Sequence, residues 1–309
     1  MALLDITLAG SPTTWGVDFA DGPGNPPWQQ VLDELVSSGL GALELGPVGY
    51  LPEDPTALRG ALGERRLTAV GSFVFESLHD PGGREQVLAV ARRACKAINA
   101  AGGRFLVIID RPGRVRAATA GQSPYASRLA KSRWLKMMDI TTEVAEMAAS
   151  FDLIPTFHPH AGSYVEFADE IDRLLDDTEI PLCLDTGHLA YAGMAPGEAL
   201  ARYGSRLIHV HLKDVDPHVL NRARLEGIGF WHAISASVFC PLGTGAVDLA
   251  DVARGLETAG YSGYATIEQD RVPGTGTPLA DLRASIDLLQ RAGLGGSRES
   301  ASAPVDSNA

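Results

Sequence analysis

The sequence predicts an α/β fold in which eight parallel strands close into a single-domain (β/α)₈ barrel, the TIM barrel. Eight short β-rich runs alternate with helical patterns along the 309 residues, which is typical of consecutive βαβ units. One barrel of about 250 residues fits within this length. Polar residues follow seven of the eight runs at the same end, as they do at the catalytic face of such barrels.

The eight predicted strands are short and apolar, and several of the helical stretches between them end at a glycine that stops the helix. A doubly wound sheet is the alternative, but it would normally place a glycine-rich phosphate turn after an early strand. The turn GTGTP at 274–278 follows the last strand instead and is interpreted as a loop. We therefore assign 1–292 to the barrel and the polar stretch 293–309 to a flexible tail. The predicted strands are 5–10, 42–45, 68–74, 104–110, 154–160, 181–187, 206–212 and 264–269.

The composition excludes several classes of protein. Hydrophobic residues make up 45% of the chain and charged residues 21%, as in an ordinary globular protein. A net charge of −12 argues against nucleic-acid or anionic-membrane partners. Three widely spaced cysteines and the absence of a signal-like start or an apolar run of membrane length favour the cytoplasm. We expect a small-molecule substrate, and a homo-oligomer is possible.

The ionisable residues at the strand ends indicate a metal site. Side chains two residues apart on a strand share a face, and burying several unpaired charges together is costly. A divalent cation would offset that cost, and a mixed nitrogen and oxygen set suits Mn, Co, Fe or Zn better than Ca. Taken alone, Asp185 could equally be a helix N-cap. The strand-end residues are Glu44, Glu76, Asp110, His158, His160, Asp185, His209, His211, Lys213, Glu268 and Asp270.

Two motifs, DTGHLAYAG at 185–193 and HVHLKDV at 209–215, resemble the xylose-isomerase-like barrels, and within them the inosose dehydratases. The resemblance runs from about Thr13 to Ala292 and is supported by ALELGPVGYLP, HPHAG and VFCPLGTGAVDL. It implies a metal-dependent enzyme that acts on polyhydroxylated ketones or aldoses.

The resemblance also implies roles for individual residues. Asp185, His211 and Glu268 would bind one divalent ion, with manganese or cobalt expected first and magnesium, iron or zinc as alternatives. The family's remaining glutamate falls on His158, so His158 is the expected fourth ligand and His160 its substitute. The expected substrate-binding residues are His188, Trp15, Glu44 and Asp214, although Trp15 could equally be a core aromatic.

The expected reaction is elimination of water from a cyclic polyhydroxy ketone such as inosose, starting with removal of the proton next to the ketone. His160, Lys213 and Glu268 are the catalytic candidates, with His160 or Lys213 preferred as the base. A keto-sugar epimerase, an isomerase or a 3-oxo-glycoside lyase would use the same enediolate. A non-catalytic sugar-binding barrel is a further alternative, and the acidic charge argues against a DNA endonuclease. The long segment 216–247 is either a lid or a structural or oligomer-contact excursion.

Overall fold

Eight parallel strands close a barrel in the structure, a computed structural model that describes residues 4–295. Each of the eight predicted strands overlaps one strand of the barrel, so the predicted fold class is confirmed. Two further strands, β8 and β9, form a small antiparallel pair outside the barrel. The strands are β1 Ile6–Gly10, β2 Ala42–Glu44, β3 Thr68–Glu76, β4 Phe105–Asp110, β5 Ile154–Phe157, β6 Leu182–Asp185, β7 Leu207–Leu212, β8 Asp214–Val215, β9 Phe239–Cys240 and β10 Gly263–Ile267.

Helices surround the barrel and bury one apolar face each against it. In the helix of residues 84–101, for example, the buried residues Val87, Ala91, Ala94 and Ile98 recur every three or four positions, as expected for an amphipathic helix. It ends at Gly102, whose φ of 74° is the left-handed conformation that glycine adopts without strain. The helices are α1 Trp28–Ser37, α2 Pro55–Gly63, α3 Arg84–Ala101, α4 Arg114–Ala117, α5 Lys131–Ala149, α6 Ala168–Asp177, α7 Thr186–Tyr191, α8 Pro196–Arg202, α9 Pro217–Glu226, α10 Phe230–Ser235, α11 Leu249–Thr258 and α12 Pro278–Arg291.

The inside of the barrel is packed in layers. The small residues Ala9 and Ala42 lie with Val70 and Phe105 in one apolar cluster, and a second cluster contains Phe73, Val107, Ile109 and Cys183. These side chains fill much of the barrel interior, as in other eight-stranded barrels.

The strand register brings the polar residues together. Asp185 at the end of β6 pairs with His211 of β7, and His211 pairs with Thr266 of β10. Because all three strands run parallel, these side chains lie side by side at the carboxyl end of the barrel. His158 extends the same row, since its N–H still donates to the carbonyl of Ile108 although β5 ends at Phe157.

The segment 216–247 folds into α9, α10 and β9 and covers one side of the barrel mouth. Asp214 anchors the loop after β9. Its carboxylate accepts hydrogen bonds from the backbone N–H groups of Gly243, Gly245 and Val247 at 2.9 to 3.0 Å. Gly245 has to lack a side chain, since a Cβ there would lie 2.3 Å from Asp214 Oδ1. This packing is consistent with the lid interpretation, while an oligomer contact stays an untested alternative.

The start of the predicted tail packs against the barrel. Leu294 is fully buried and forms a bridge with Leu4, so the assignment of flexibility from Gly293 onward begins at least two residues too early. The remaining tail residues, 296–309, lie outside the described part of the chain. Between residues 4 and 295 the helices are all too short or too polar to cross a membrane.

Candidate active site

Asp185 combines the two roles that its sequence context suggested. Its Oδ1 accepts hydrogen bonds from the N–H groups of Gly187 and His188 at 2.8 and 2.9 Å, which caps α7. Its Oδ2 is buried and accepts no hydrogen bond from the residues described. Because the cap holds the carboxylate in one orientation, Oδ2 is directed at the centre of the site, where the cationic Nζ of Lys213 lies 3.2 Å away.

His211 is oriented from below by Glu44. Glu44 Oε1 accepts hydrogen bonds from His209 Nε2 at 2.7 Å, from His211 Nε2 at 2.8 Å and from the Thr266 hydroxyl at 2.8 Å. Burial alone would raise the pKa of Glu44, but the charge of His211 and the bonds from His209 and His211 lower it to about 2. As an ionised carboxylate can only accept, His211 carries a proton on Nε2. Burial would lower the pKa of His211, but Cys183, Glu268 and Glu44 raise it well above its usual value, so a metal ion at Nδ1 would take the place of a second proton.

Four residues present ligand atoms for a divalent ion. One ligand atom each of His158, Asp185 and His211 lies within 4.8 Å of the other two. His158 Nδ1 and His211 Nδ1 are buried and, within residues 4–295, have no hydrogen-bond partner. Glu268 Oε2 lies 3.3 Å from His211 Nδ1. Unpaired buried nitrogen and oxygen atoms that converge in this way fit a divalent transition metal.

Lys213 places a positive charge next to these carboxylates. Its Nζ lies 2.7 Å from Asp270 Oδ1 and 3.2 Å from both Asp185 Oδ2 and Glu268 Oε2. Burial would lower the pKa of Lys213, but these three carboxylates raise it well above its usual value. These carboxylates favour the protonated ammonium of Lys213, which suits a proton donor, and the use of Lys213 as a base stays a prediction. Gly187 makes room for the chain of Lys213, since a Cβ there would lie 2.6 Å from Lys213 Cγ.

His160 belongs to a different group from His158. It lies with His188 and Asp270, and the His160 and His188 rings are 3.9 Å apart between centroids. The Nδ1 of His160 donates to the carbonyl of Ala161 at 2.9 Å, which leaves Nε2 as its unprotonated nitrogen. Burial and the charge of Lys213 lower the pKa of His160 to about 3.

The nitrogens of His188 are also distinct. Its Nδ1 accepts a hydrogen bond from the N–H of Ala161 at 3.3 Å. Its Nε2 lies 3.3 Å from Lys213 Nζ and 3.7 Å from Asp270 Oδ2. Burial, together with the neighbouring His160, keeps the pKa of His188 well below its usual value. His188 is therefore a neutral imidazole that lines the cavity beside the catalytic candidates.

These polar groups line one side of a cavity whose other side is apolar. The apolar side combines residues of β3, β4 and α10, and it excludes water from the polar groups opposite. Its residues are Phe73, Phe75, Ile109, Phe230, Trp231 and Ile234.

Three predicted substrate-binding residues lie elsewhere. Trp15 turns outward and donates its indole N–H to Glu34 of α1 at 2.6 Å, so it is a core aromatic. Glu44 is fully buried beneath His211, and Asp214 is fully buried against its loop. All three predictions are corrected, because each side chain is already bonded within the protein and does not line the cavity.

Two further carboxylates line the cavity. The alternation of side chains predicts that Asp270 shares a face with Glu268 at the strand end, but no role was predicted for it. Burial raises the pKa of Asp270 to about 6, although the charge of Lys213 opposes the rise. Asp18 also lines the cavity, but it comes from the long loop between β1 and α1, where no motif marks it.

The fold and this cluster define a (β/α)₈ barrel with a buried site able to hold a metal ion. The family model of the xylose isomerase-like TIM barrel matches residues 32–292. The chain belongs to this family, which confirms the predicted resemblance.

Curated relatives support the narrower resemblance to the inosose dehydratases. The inosose dehydratase of Geobacillus kaustophilus is 29% identical, over 91% of this chain and 92% of that protein. Among solved structures, the IOLI protein with a binding zinc atom superimposes with a TM-score of 0.69 at 14% identity and covers 93% of this chain and 98% of its own. The 3-keto-D-glucoside 4-epimerase YcjR from E. coli has a TM-score of 0.68 at 16% identity, with coverage of 93% and 99%. At these identities the structures show a shared fold.

Proposed function

We propose that the protein is a metal-dependent lyase that eliminates water from a cyclic polyhydroxy ketone such as inosose. The observation that carries this proposal is the convergence of unpaired ligand atoms from His158, Asp185 and His211 beside the acid and base groups of one cavity. The similarity to an inosose dehydratase over nine-tenths of both chains supports the choice of substrate.

The proposed metal ligands are His158, Asp185, His211 and Glu268, with manganese or cobalt as the ion. The chemistry that a divalent ion held by these residues would supply is Lewis-acid stabilisation of the developing negative charge, worth several kcal/mol. His158 is preferred over His160 because it lies in the same group of ligand atoms as Asp185 and His211.

The protein's own residues then move two protons. His160 lines the cavity, and its Nε2 is the ring nitrogen left without a proton because Nδ1 donates to Ala161. This nitrogen is the proposed acceptor of the proton next to the ketone, and Glu268 is the second candidate for that base. The ammonium of Lys213, held by Asp270 at 2.7 Å, can donate a proton to the hydroxyl that leaves as its C–O bond breaks. One proton is thus taken from carbon, one is given to oxygen, and the leaving group is water.

The test uses purified protein loaded with manganese or cobalt and supplied with inosose in deuterated water. We expect the ultraviolet absorbance of the enolised dione to appear, and metal-stripped protein and Asp185→Asn to give none. Exchange of the substrate's α-proton for deuterium without that absorbance would indicate an epimerase or isomerase and would contradict the dehydratase. Binding of inosose without either change would indicate a sugar-binding barrel.

We further propose that the enzyme works in the cytoplasm on a small molecule rather than on nucleic acid. Three cysteines that form no disulfide within residues 4–295 support a reducing compartment, and the net charge of −12 opposes the binding of polyanions.

A further inference from the structure

A second cavity opens beside the proposed catalytic cavity. It has a volume of about 460 Å³ and lies between β3, α3 and the loops that follow β1 and β2. Three residues, Asp18, Phe73 and Phe75, line both cavities. The two cavities are therefore adjacent and share these residues as a boundary, and the second cavity has room for a group of appreciable size.

Aromatic side chains lie at the boundary between the two cavities. The ring of Phe75 lies 5.4 Å from the ring of His160 on the catalytic side and 5.7 Å from the ring of Phe19 on the other. The Phe19 ring also lies 6.2 Å from that of Trp231 in the lid segment. Phe19 is 37% exposed. Exposed aromatic faces beside a cavity indicate a surface for an apolar face of a ligand, such as the C–H face of a sugar ring.

Other residues of the second cavity offer hydrogen-bonding groups. Asp21, Glu76 and Gln86 line it with two carboxylates and one amide. Arg93 is tied to Glu53 through two hydrogen bonds of 2.5 and 3.0 Å. Carboxylates outnumber this single guanidinium, so the field disfavours phosphate or carboxylate groups and favours neutral hydroxyls.

We propose that the second cavity is a subsite for a second sugar ring, joined through oxygen to the cyclic ketone in the catalytic cavity. Aromatic rings together with carboxylate and amide groups in one cavity match a pyranose, which presents C–H groups and hydroxyls. The inference rests on the proposed function for the position of the keto ring. The substrates of the enzyme would then be glycosylated cyclic polyhydroxy ketones.

The test compares inosose with an O-glucosyl inosose on the metal-loaded enzyme. We expect kcat/KM to be at least tenfold higher for the glucosylated compound, mainly through a lower KM. Val90 lies on α3 in the wall of the second cavity, remote from the metal ligands and the acid and base groups. Val90→Trp should fill the subsite and abolish the preference while kcat/KM for inosose stays unchanged. Val115→Trp is the matched control, because Val115 is exposed and lines neither cavity.

A more conservative variant tests the subsite if Val90→Trp does not fold. Gln86 is exposed on the same helix, so Gln86→Ala removes one amide without disturbing packing. It should raise KM for the glucosylated compound about two- to tenfold, as expected for one lost hydrogen bond, and leave inosose unaffected.

Two results would overturn the subsite. One is equal kcat/KM for both compounds in the unaltered enzyme, and the other is a preference that survives both α3 variants. If neither compound reacts, the proposed function fails separately, and calorimetric titration of the same two compounds then decides the subsite. Tighter binding of the glucosylated compound that Val90→Trp abolishes would support it, and equal binding would reject it.

Discussion

Glu44 Oε1 lies 2.8 Å from His211 Nε2, so a buried carboxylate from β2 determines which nitrogen of a β7 histidine faces the proposed metal. The same oxygen binds His209 and Thr266. A carboxylate that accepts a hydrogen bond from a metal-binding histidine orients the ring and raises its basicity. Glu44 thus acts on the site through His211 and does not touch the cavity.

Replacement of Glu44 by glutamine should therefore weaken metal binding. The amide lacks the charge that holds both imidazoles, and we expect the Kd for Mn²⁺ to rise about 10- to 100-fold, measured by calorimetric titration. Glu34→Gln is the matched control, since Glu34 bonds Trp15 outside the barrel and should leave Mn²⁺ affinity unchanged. Unaltered affinity in Glu44→Gln would show that the carboxylate has no part in orienting His211.

Asp185→Asn and His211→Ala should each lose bound metal and activity while the fold remains. The asparagine oxygen can still cap α7 as Oδ1 does now, but no carboxylate oxygen remains for the ion. Metal content by mass spectrometry and the circular dichroism spectrum check the two halves of the prediction. Full metal content in both variants would exclude these residues as ligands.

Lys213→Met should make stability dependent on metal. Removal of the ammonium leaves Asp185, Glu268 and Asp270 buried without their cation, which typically costs about 3–5 kcal/mol. We expect a lower Tm in chelator, and a larger rise in Tm on addition of Mn²⁺ than the unaltered protein shows. The loss of the proposed acid should also lower kcat by about 10²–10⁴. An equal rise in Tm of both proteins on addition of Mn²⁺ would show that Lys213 does not balance the charge of these three carboxylates.

Stability should fall with rising pH because of a carboxyl group away from the site. Burial raises the pKa of Glu166 from 4.5 to about 7, although Arg116 opposes the rise. The folded state therefore holds this proton more tightly than the unfolded state, and its stabilising effect is complete below pH 4.5 and lost as the pH rises to 7. At about 1.4 kcal/mol per unit, the unaltered protein should lose roughly 2–3 kcal/mol relative to Glu166→Gln between pH 5 and 8.

Urea denaturation of both proteins at four pH values measures this difference, and common titrations cancel in it. A difference that stays constant with pH would mean that Glu166 is ionised throughout.

The barrel could be predicted from the sequence because each strand and helix has its own local pattern. The eight β-rich runs alternate with amphipathic stretches, and every run predicted as a strand overlaps a strand of the barrel. His158, Asp185, His211, Lys213 and Glu268 could be placed at one rim for the same reason, since the carboxyl ends of parallel strands meet there.

The direction of individual side chains could not be predicted in the same way. Glu44 reaches its partners on β7 and β10 across the barrel, and this depends on the closed strand order rather than on local sequence. Trp15 and Asp18 are neighbours in one loop, yet one points outward and the other into the cavity. The pKa of Lys213 depends on three acids from β6 and the loop after β10, so its protonation required the tertiary arrangement.

The bridge between Leu4 and Leu294 has a practical consequence for engineering. It brings the two extremities of the described chain together at the amino-terminal side of β1, away from the rim that carries the ligands. A short linker between them would make the polypeptide a continuous ring, and new termini could then be opened in an exposed helical connection. Such a circular permutant should keep all eight strands in their present neighbourhood order and retain an unmodified entrance for substrate.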